Sequence, residues 1–134
     1  MRRILLDSSA LVAMADQRDP DHAAVAGFIL EAKGQVSLIT TDYVLDETAT
    51  VVKRRYGHGP AVRLGRKLRA SDFCRYYLLT PEDEALAWAI FEKYDDKAWS
   101  YTDCSCLAVV QRLDLDGVLS LDSHFRQMGV QVWP

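Results

Sequence analysis

The chain has 134 residues, with 16 Lys+Arg against 19 Asp+Glu and a formal net charge of −3. At ~100–200 residues per domain, that length fits a single domain over residues 1–134. A content of 49% hydrophobic and 26% charged residues is a globular balance that argues against disorder, and the net charge taken alone argues against a uniformly basic nucleic-acid binder.

The opening MRRILLDSSALVAMA has the outline of a signal peptide, two arginines and then an apolar run, but Asp7 interrupts the run after three residues. The better reading is a buried strand over Arg3 to Leu6 that delivers Asp7 to its carboxyl end, with Ser8 or Ser9 capping a helix over SALVAMAD. Asp19-Pro20 then predicts an N-cap and first-turn proline for a helix that runs to Lys33 and stops at Gly34. Gln35 to Thr40 reads as a second strand, and Thr41 opens a long helix through about Tyr56. Pro60 starts another helix reaching about Ser71, and Phe73 to Leu79 reads as a third strand.

Thr80-Pro81 repeats the cap-plus-proline signal, followed by Leu86, Ala87, Ile90, Phe91 and Tyr94 at helical spacing. Ser100 to Leu113 reads as a further helix, Val118 to Leu121 as a strand ending at Asp122, and Gly129 to Trp133 as the last strand. Strands separated by single or paired helices point to an α/β domain with a mostly parallel, helix-covered sheet. No apolar stretch approaches the ~20 residues needed to cross a bilayer. The three cysteines are an odd number, and Cys104 and Cys106 form only C-x-C, so reduced, packed thiols in a cytoplasm are favoured over zinc or disulfides.

In parallel sheets of this class ligands bind beyond the carboxyl ends of the strands, and Asp7 and Asp122 both fall there. In the helix from Thr41 to Tyr56, Glu47 borders the apolar stripe Val44, Leu45, Thr48, Val51 and Val52, whereas Asp46 falls on the opposite face near Lys53. Glu47 is either an inward acid or a stripe-edge glutamate reaching water. Asp103 is followed at i+3, i+4 and i+7 by Cys106, Leu107 and Val110, so it points inward at a helix N-terminus. Ser100-Tyr-Thr-Asp103 also matches a capping box, and either role suits the positive helix end. Convergence of Asp7, Glu47, Asp103 and Asp122 would build an oxygen-rich anionic site suited to Mg²⁺ or Mn²⁺, which activates water for phosphoester hydrolysis.

These segments resemble PIN-domain ribonucleases, particularly the VapC-type toxins of prokaryotic toxin–antitoxin pairs. ILLDSSALVAMAD looks like the family's first strand and helix, LITTDYVLDETATVVKRRYG like its second strand and the helix carrying Glu47, and WSYTDCSCLAVVQRLDLDGVLSLDSHFRQMGV like its closing block. The resemblance covers nearly the whole chain. It implies a PIN-like α/β/α sandwich and a metal-dependent endoribonuclease in which Asp7, Glu47, Asp103 and Asp122 hold one or two Mg²⁺ or Mn²⁺ ions. Ser8 and Ser120 match positions where the family carries a small hydroxyl beside the acids, as groups that orient them; for Ser8, helix capping stays open. The resemblance also implies an RNA substrate, a cognate antitoxin protein, a homodimer, and a cytoplasmic location with no membrane association.

The three histidines read as bystanders: His22 in a first turn without a partner, His58 in a loop, and His124 facing outward while Phe125 packs. Trp88, Trp99 and Trp133 read as core or interface residues rather than base-stacking platforms. Charge is unevenly distributed. Lys53 to Arg75 holds Lys53, Arg54, Arg55, Arg63, Arg66, Lys67, Arg69 and Arg75 against Asp72 alone, +7, which leaves −10 for the remainder and restores −3. That run is either a solvated face or an electrostatic guide for RNA phosphates beside Glu47. Three other readings compete. A haloacid-dehalogenase-like phosphatase would use Asp7 as a nucleophile, but Ser9 stands where that family places a second aspartate. A non-enzymatic RNA- or protein-binding module would use the basic run and need neither acids nor metal, and a PIN-fold RNA-processing nuclease would cleave RNA without a toxin role.

Overall fold

The computed structural model describes all residues, 1–134. The elements are β1 (Arg2–Leu6), α1 (Ser8–Ala15), α2 (His22–Ala32), β2 (Val36–Thr41), α3 (Asp42–Tyr56), α4 (His58–Arg69), β3 (Arg75–Tyr77), α5 (Pro81–Lys93), α6 (Tyr101–Arg112), β4 (Gly117–Leu119), α7 (His124–Gln127) and β5 (Val132–Trp133). The five strands form one sheet in the order β3-β2-β1-β4-β5, and every pairing is parallel. The sheet is thus wholly parallel where the sequence pointed to a mostly parallel one.

Parallel strands buried on both faces need continuous apolar runs. Ile4, Leu5 and Leu6 of β1 supply one and are fully buried, as are Val118 and Leu119 of β4. β1 lies at the centre, with Leu5 opposite Ile39 of β2 and Val118 of β4. The chain runs outward through β2 and β3, then returns to the other side of β1 for β4 and β5, so the strand order reverses between β1 and β4. At such a switch point the helices after the two strands leave toward opposite faces and open a crevice.

Gly117 fixes how closely β4 and β5 approach. A Cβ there would collide with the carbonyl oxygen of Gln131 and the Trp133 ring. A second device joins α5 to the C-terminal end of α6. Asp83 is fully buried, closes the capping box with Thr80, accepts the Tyr77 hydroxyl at 2.6 Å and pairs with the Arg112 guanidinium. Burial works against its charge, but the hydrogen bonds from Tyr77, Thr80 and Arg112 outweigh it and hold the carboxyl below its ordinary range.

Five local expectations are revised. Residue 58 is not in a loop: α4 begins at His58 directly after Gly57, whose φ of 104° breaks α3, and Pro60 sits within the first turn, where its missing N–H costs nothing. α2 starts at His22 rather than after Asp19, because the Asp19 carboxylate is taken up by the Asp21 amide at 2.9 Å and the Tyr56 hydroxyl at 2.9 Å. His22 does have a partner, its Nδ1 lying 2.8 Å from the carbonyl oxygen of Ala13. β3 is only three residues long, and the short helix α7 lies where no element was expected.

Candidate metal centre at the carboxyl edge of the sheet

Asp7 is the residue after β1, and its backbone amide donates to the carbonyl oxygen of Leu119 on β4 at 3.1 Å. The pairing of Leu6 with Leu119 therefore brings Asp7 and Ser120 side by side at the switch point. Ser120 donates to Asp7 Oδ2 at 2.8 Å, Ser9 donates to the same oxygen at 2.9 Å, and the two hydroxyls lie 3.1 Å apart. Ser9 also accepts the Leu121 amide at 2.9 Å, and Ser120 accepts the Asp122 amide at 3.0 Å. The loop after β4 is thereby tied to the start of α1.

Neither Ser8 nor Ser9 caps α1, contrary to expectation. Asp7 itself occupies the N-cap position without a side-chain capping bond, and both serines lie in the first turn with their hydroxyls committed to carboxylates. Ser8 donates to Glu47 Oε2 at 2.6 Å and lies 3.4 Å from Asp7 Oδ1. Glu47 is half-buried and faces α1 and the crevice, so the inward reading of this acid is the one its geometry follows.

Asp103 fills both roles weighed for it. The Ser100 hydroxyl accepts the Asp103 amide at 3.0 Å, and the Ser100 amide donates to Asp103 Oδ2 at 3.0 Å, a complete capping box at the start of α6. The same Oδ2 lies 2.8 Å from His124 Nδ1. Oδ1 carries no hydrogen bond and remains available, at a helix N-terminus whose dipole favours negative charge.

His124 does not face outward. Phe125 packs in the core as expected, and that anchors the short helix α7 with the imidazole turned to the acids. Its backbone amide donates to Asp122 Oδ1 at 2.9 Å, and the ring nitrogen lies 3.3 Å from that oxygen. Asp103, Asp122 and His124 each offer a ligand atom within 4.8 Å of one another. The hydrogen bond to Asp103 raises the His124 pKa against the opposing effect of partial burial, and the charge of Asp122 adds to it.

Burial pushes Asp7 up to about 6 from 3.8, partly offset by its bonds from Ser120 and Ser9, and the charge of Asp103 pushes in the same direction. A buried carboxylate that resists ionisation beside other carboxylates is a site short of positive charge. The donor set of four carboxylates and one imidazole fits a hard divalent ion of the Mg²⁺ or Mn²⁺ type, with the serines fixing the carboxylate orientations.

The structure thus gathers Asp7, Glu47, Asp103 and Asp122 through Ser8, Ser120 and two residues the sequence did not single out for the site, Ser9 and His124. The spacing Asp-Ser-His held the signal for His124, since an aspartate two residues upstream can fold the backbone back on itself. The basic run does not stay together. Arg55 lines the same cavity as Ser8, Ser9 and Glu47, whereas Lys53, Arg66 and Arg69 line a separate groove between α3 and α4. Arg54, Arg63 and Lys67 are exposed and line neither. Trp99 is buried and donates to Gln127 at 3.0 Å, whereas Trp88 is exposed beside Phe91 on α5. The three cysteines are free and buried, and no helix is long and apolar enough to cross a membrane.

The chain is 29% identical over 132 residues to the 23S rRNA-specific endonuclease VapC20 of Mycobacterium tuberculosis, covering 98% of each chain. It is also 29% identical over 123 residues to the ribonuclease VapC26 of the same organism, covering 91% of this chain and 89% of that one. The crystal structure of Mycobacterium tuberculosis VapC20, described as a sarcin–ricin loop cleaving toxin, superposes with a TM-score of 0.86 at 26% identity over 96% of both chains. The PIN domain matches residues 4–131, and the chain belongs to the PIN-domain family.

Proposed function

We propose that this protein is a divalent-metal-dependent endoribonuclease and the toxin of a toxin–antitoxin pair, acting as a single PIN domain over residues 1–134. The carrying observation is the chain of hydrogen bonds from Glu47 through Ser8, Asp7 and Ser120 to Asp122, at the switch point of a sheet whose family matches the chain from end to end. Asp103 and Asp122 offer free carboxylate oxygens to Mg²⁺ or Mn²⁺, and Asp7 and Glu47 complete the anionic wall. When bound, the cation lowers the pKa of water and offsets charge on the phosphodiester.

The rest is done by the chain. Ser9 and Ser120 hold Asp7 in one orientation, Ser8 holds Glu47, and His124 holds Asp103 against Asp122. The cations Lys53, Arg54, Arg63, Arg66, Lys67 and Arg69 raise the local potential and draw RNA toward the protein without each contacting it. The phosphatase reading is disfavoured because Asp7 is only 1% exposed and both its oxygens face hydroxyls, which leaves no nucleophilic approach.

A cognate antitoxin and a cytoplasmic location follow from the same reading, and Trp88 and Phe91 on α5 supply an exposed apolar face suited to a homodimer. The test is cleavage of 23S rRNA and of total RNA by the purified protein. Discrete fragments with Mn²⁺ or Mg²⁺ and none in excess EDTA are expected; undiminished cleavage in EDTA would overturn the assignment.

A further inference from the structure

The eight cations between Lys53 and Arg75 belong to different surfaces, and α3 separates them. Glu47, Val51 and Arg55 recur at four-residue spacing on one side of the buried stripe Val44, Thr48 and Val52, while Leu45, Ala49 and Lys53 lie on the other. The first set lines a cavity of about 280 Å³ that also includes Ser8 and Ser9. Arg55 is the only basic residue in that lining. It is exposed, and no carboxylate lies within ion-pair distance of it. Eight residues along α3 place it about 12 Å from Glu47 along the helix axis, within a few nucleotides of the acids once its side chain is extended.

The lining is also acidic, with Asp19 and Asp21 contributed by the turn before α2. Asp19 is held by the Tyr56 hydroxyl and the Asp21 amide, both at 2.9 Å. Arg18 stacks over Tyr56 at 5.3 Å, but its guanidinium is already paired with Asp16 at 2.7 and 2.8 Å. That cation is therefore neutralised. The apolar part of the lining is made by Val12, Val51 and Leu121, and Leu121 stands exposed between Ser120 and Asp122.

Resting on the endoribonuclease reading, we propose that Arg55 is the positioning residue for the RNA strand in this cavity. Its guanidinium takes a phosphate flanking the one to be cleaved, through the two-pronged geometry that guanidinium offers to phosphate oxygens. Asp19 and Asp21 repel the backbone from their part of the lining, so the strand lies with its phosphates toward α3 and a base over Val51 and Leu121. The cavity thereby fixes which phosphodiester reaches the acids.

The test is fluorescence anisotropy of a short fluorescein-labelled single-stranded RNA in excess EDTA, which keeps binding apart from metal-dependent cleavage. Arg55→Ala is expected to weaken binding about tenfold and to flatten the dependence of log K on log salt by about 0.7. Arg55→Lys should keep the salt slope and recover part of the affinity. Lys33→Ala, an exposed lysine at the end of α2 outside this cavity and outside the basic run, should change affinity less than twofold. Wild-type binding by Arg55→Ala, or an equal loss in Lys33→Ala, would overturn the proposal. Absence of cleavage by the wild-type protein with Mn²⁺ would overturn the nuclease reading instead, and the anisotropy would still decide the role of Arg55.

Discussion

The Ser120 hydroxyl donates to Asp7 Oδ2 at 2.8 Å across the join between β4 and β1, and Ser120 Oγ itself accepts the Asp122 amide at 3.0 Å. One hydroxyl thus sets the orientation of an acid from β1 and the path of the loop carrying another. Ser120→Ala is expected to lower Mn²⁺ affinity or cleavage about 10–100-fold, the range for residues that orient metal ligands. Isothermal titration with Mn²⁺ alongside a cleavage assay checks this, and wild-type values in both would contradict it.

Asp7 sets the pH dependence of the metal-free protein. Its pKa rises from 3.8 when unfolded to about 6 when folded, so the folded state binds this proton more tightly. The contribution of Asp7 to stability is then greatest at low pH and falls as pH rises through that window, by up to about 3 kcal/mol. His124, raised above 6.5, contributes in the same sense, its stabilisation being complete below 6.5 and lost as pH rises through the folded value. Thermal unfolding in EDTA should therefore give a higher Tm at pH 5 than at pH 7. Added Mn²⁺ should raise Tm more at pH 7 than at pH 5, because the upward shifts of Asp7 and His124 favour the proton over the metal at the lower pH. A Tm in EDTA that rises from pH 5 to pH 7 would contradict this.

Much of the architecture follows from local pattern. Asp7 could be placed because an apolar run ends on it, and Asp103 because the apolar spacing behind it leaves one inward direction. His124 and Ser9 could not be placed that way. The direction of the His124 ring depends on Phe125 anchoring α7 in the core, and Ser9 meets Ser120 only because β1 and β4, distant in sequence, are neighbours in the sheet. The division of the basic run was hidden for a related reason: charge counted along the chain does not show that α3 turns Arg55 and Lys53 to different sides of its buried stripe.

The Asp83 network is structural and remote from the acids, since Arg112 lies about 13 Å from Asp103 along α6. Asp83→Ala removes the acceptor for Tyr77, Thr80 and Arg112 and should destabilise the fold by roughly 2–3 kcal/mol. Because its folded pKa is lowered, the stability it contributes is present above 3.8 and is lost as pH falls through the folded value. Urea unfolding at pH 7 checks the first statement. Cleavage by the folded fraction should remain at the wild-type rate.

Thr48 offers a contrasting case on α3. Its hydroxyl is buried without a hydrogen-bond partner, in a stripe with Val44 and Val52. Thr48→Val removes an unsatisfied polar atom with nearly the same shape and should stabilise the protein by about 1 kcal/mol. A lower urea midpoint for the variant would show that the hydroxyl has a role in the fold.

The four carboxylates are proposed to act together in cleaving RNA. The most direct measurement is the cleavage rate of Asp7→Asn and Asp122→Asn with Mn²⁺, each compared with wild type after circular dichroism and Tm establish that the variant is folded. Loss of at least about 100-fold in both is expected, because each change removes one anionic member of the wall and leaves the shape intact. Wild-type cleavage by both folded variants would contradict it.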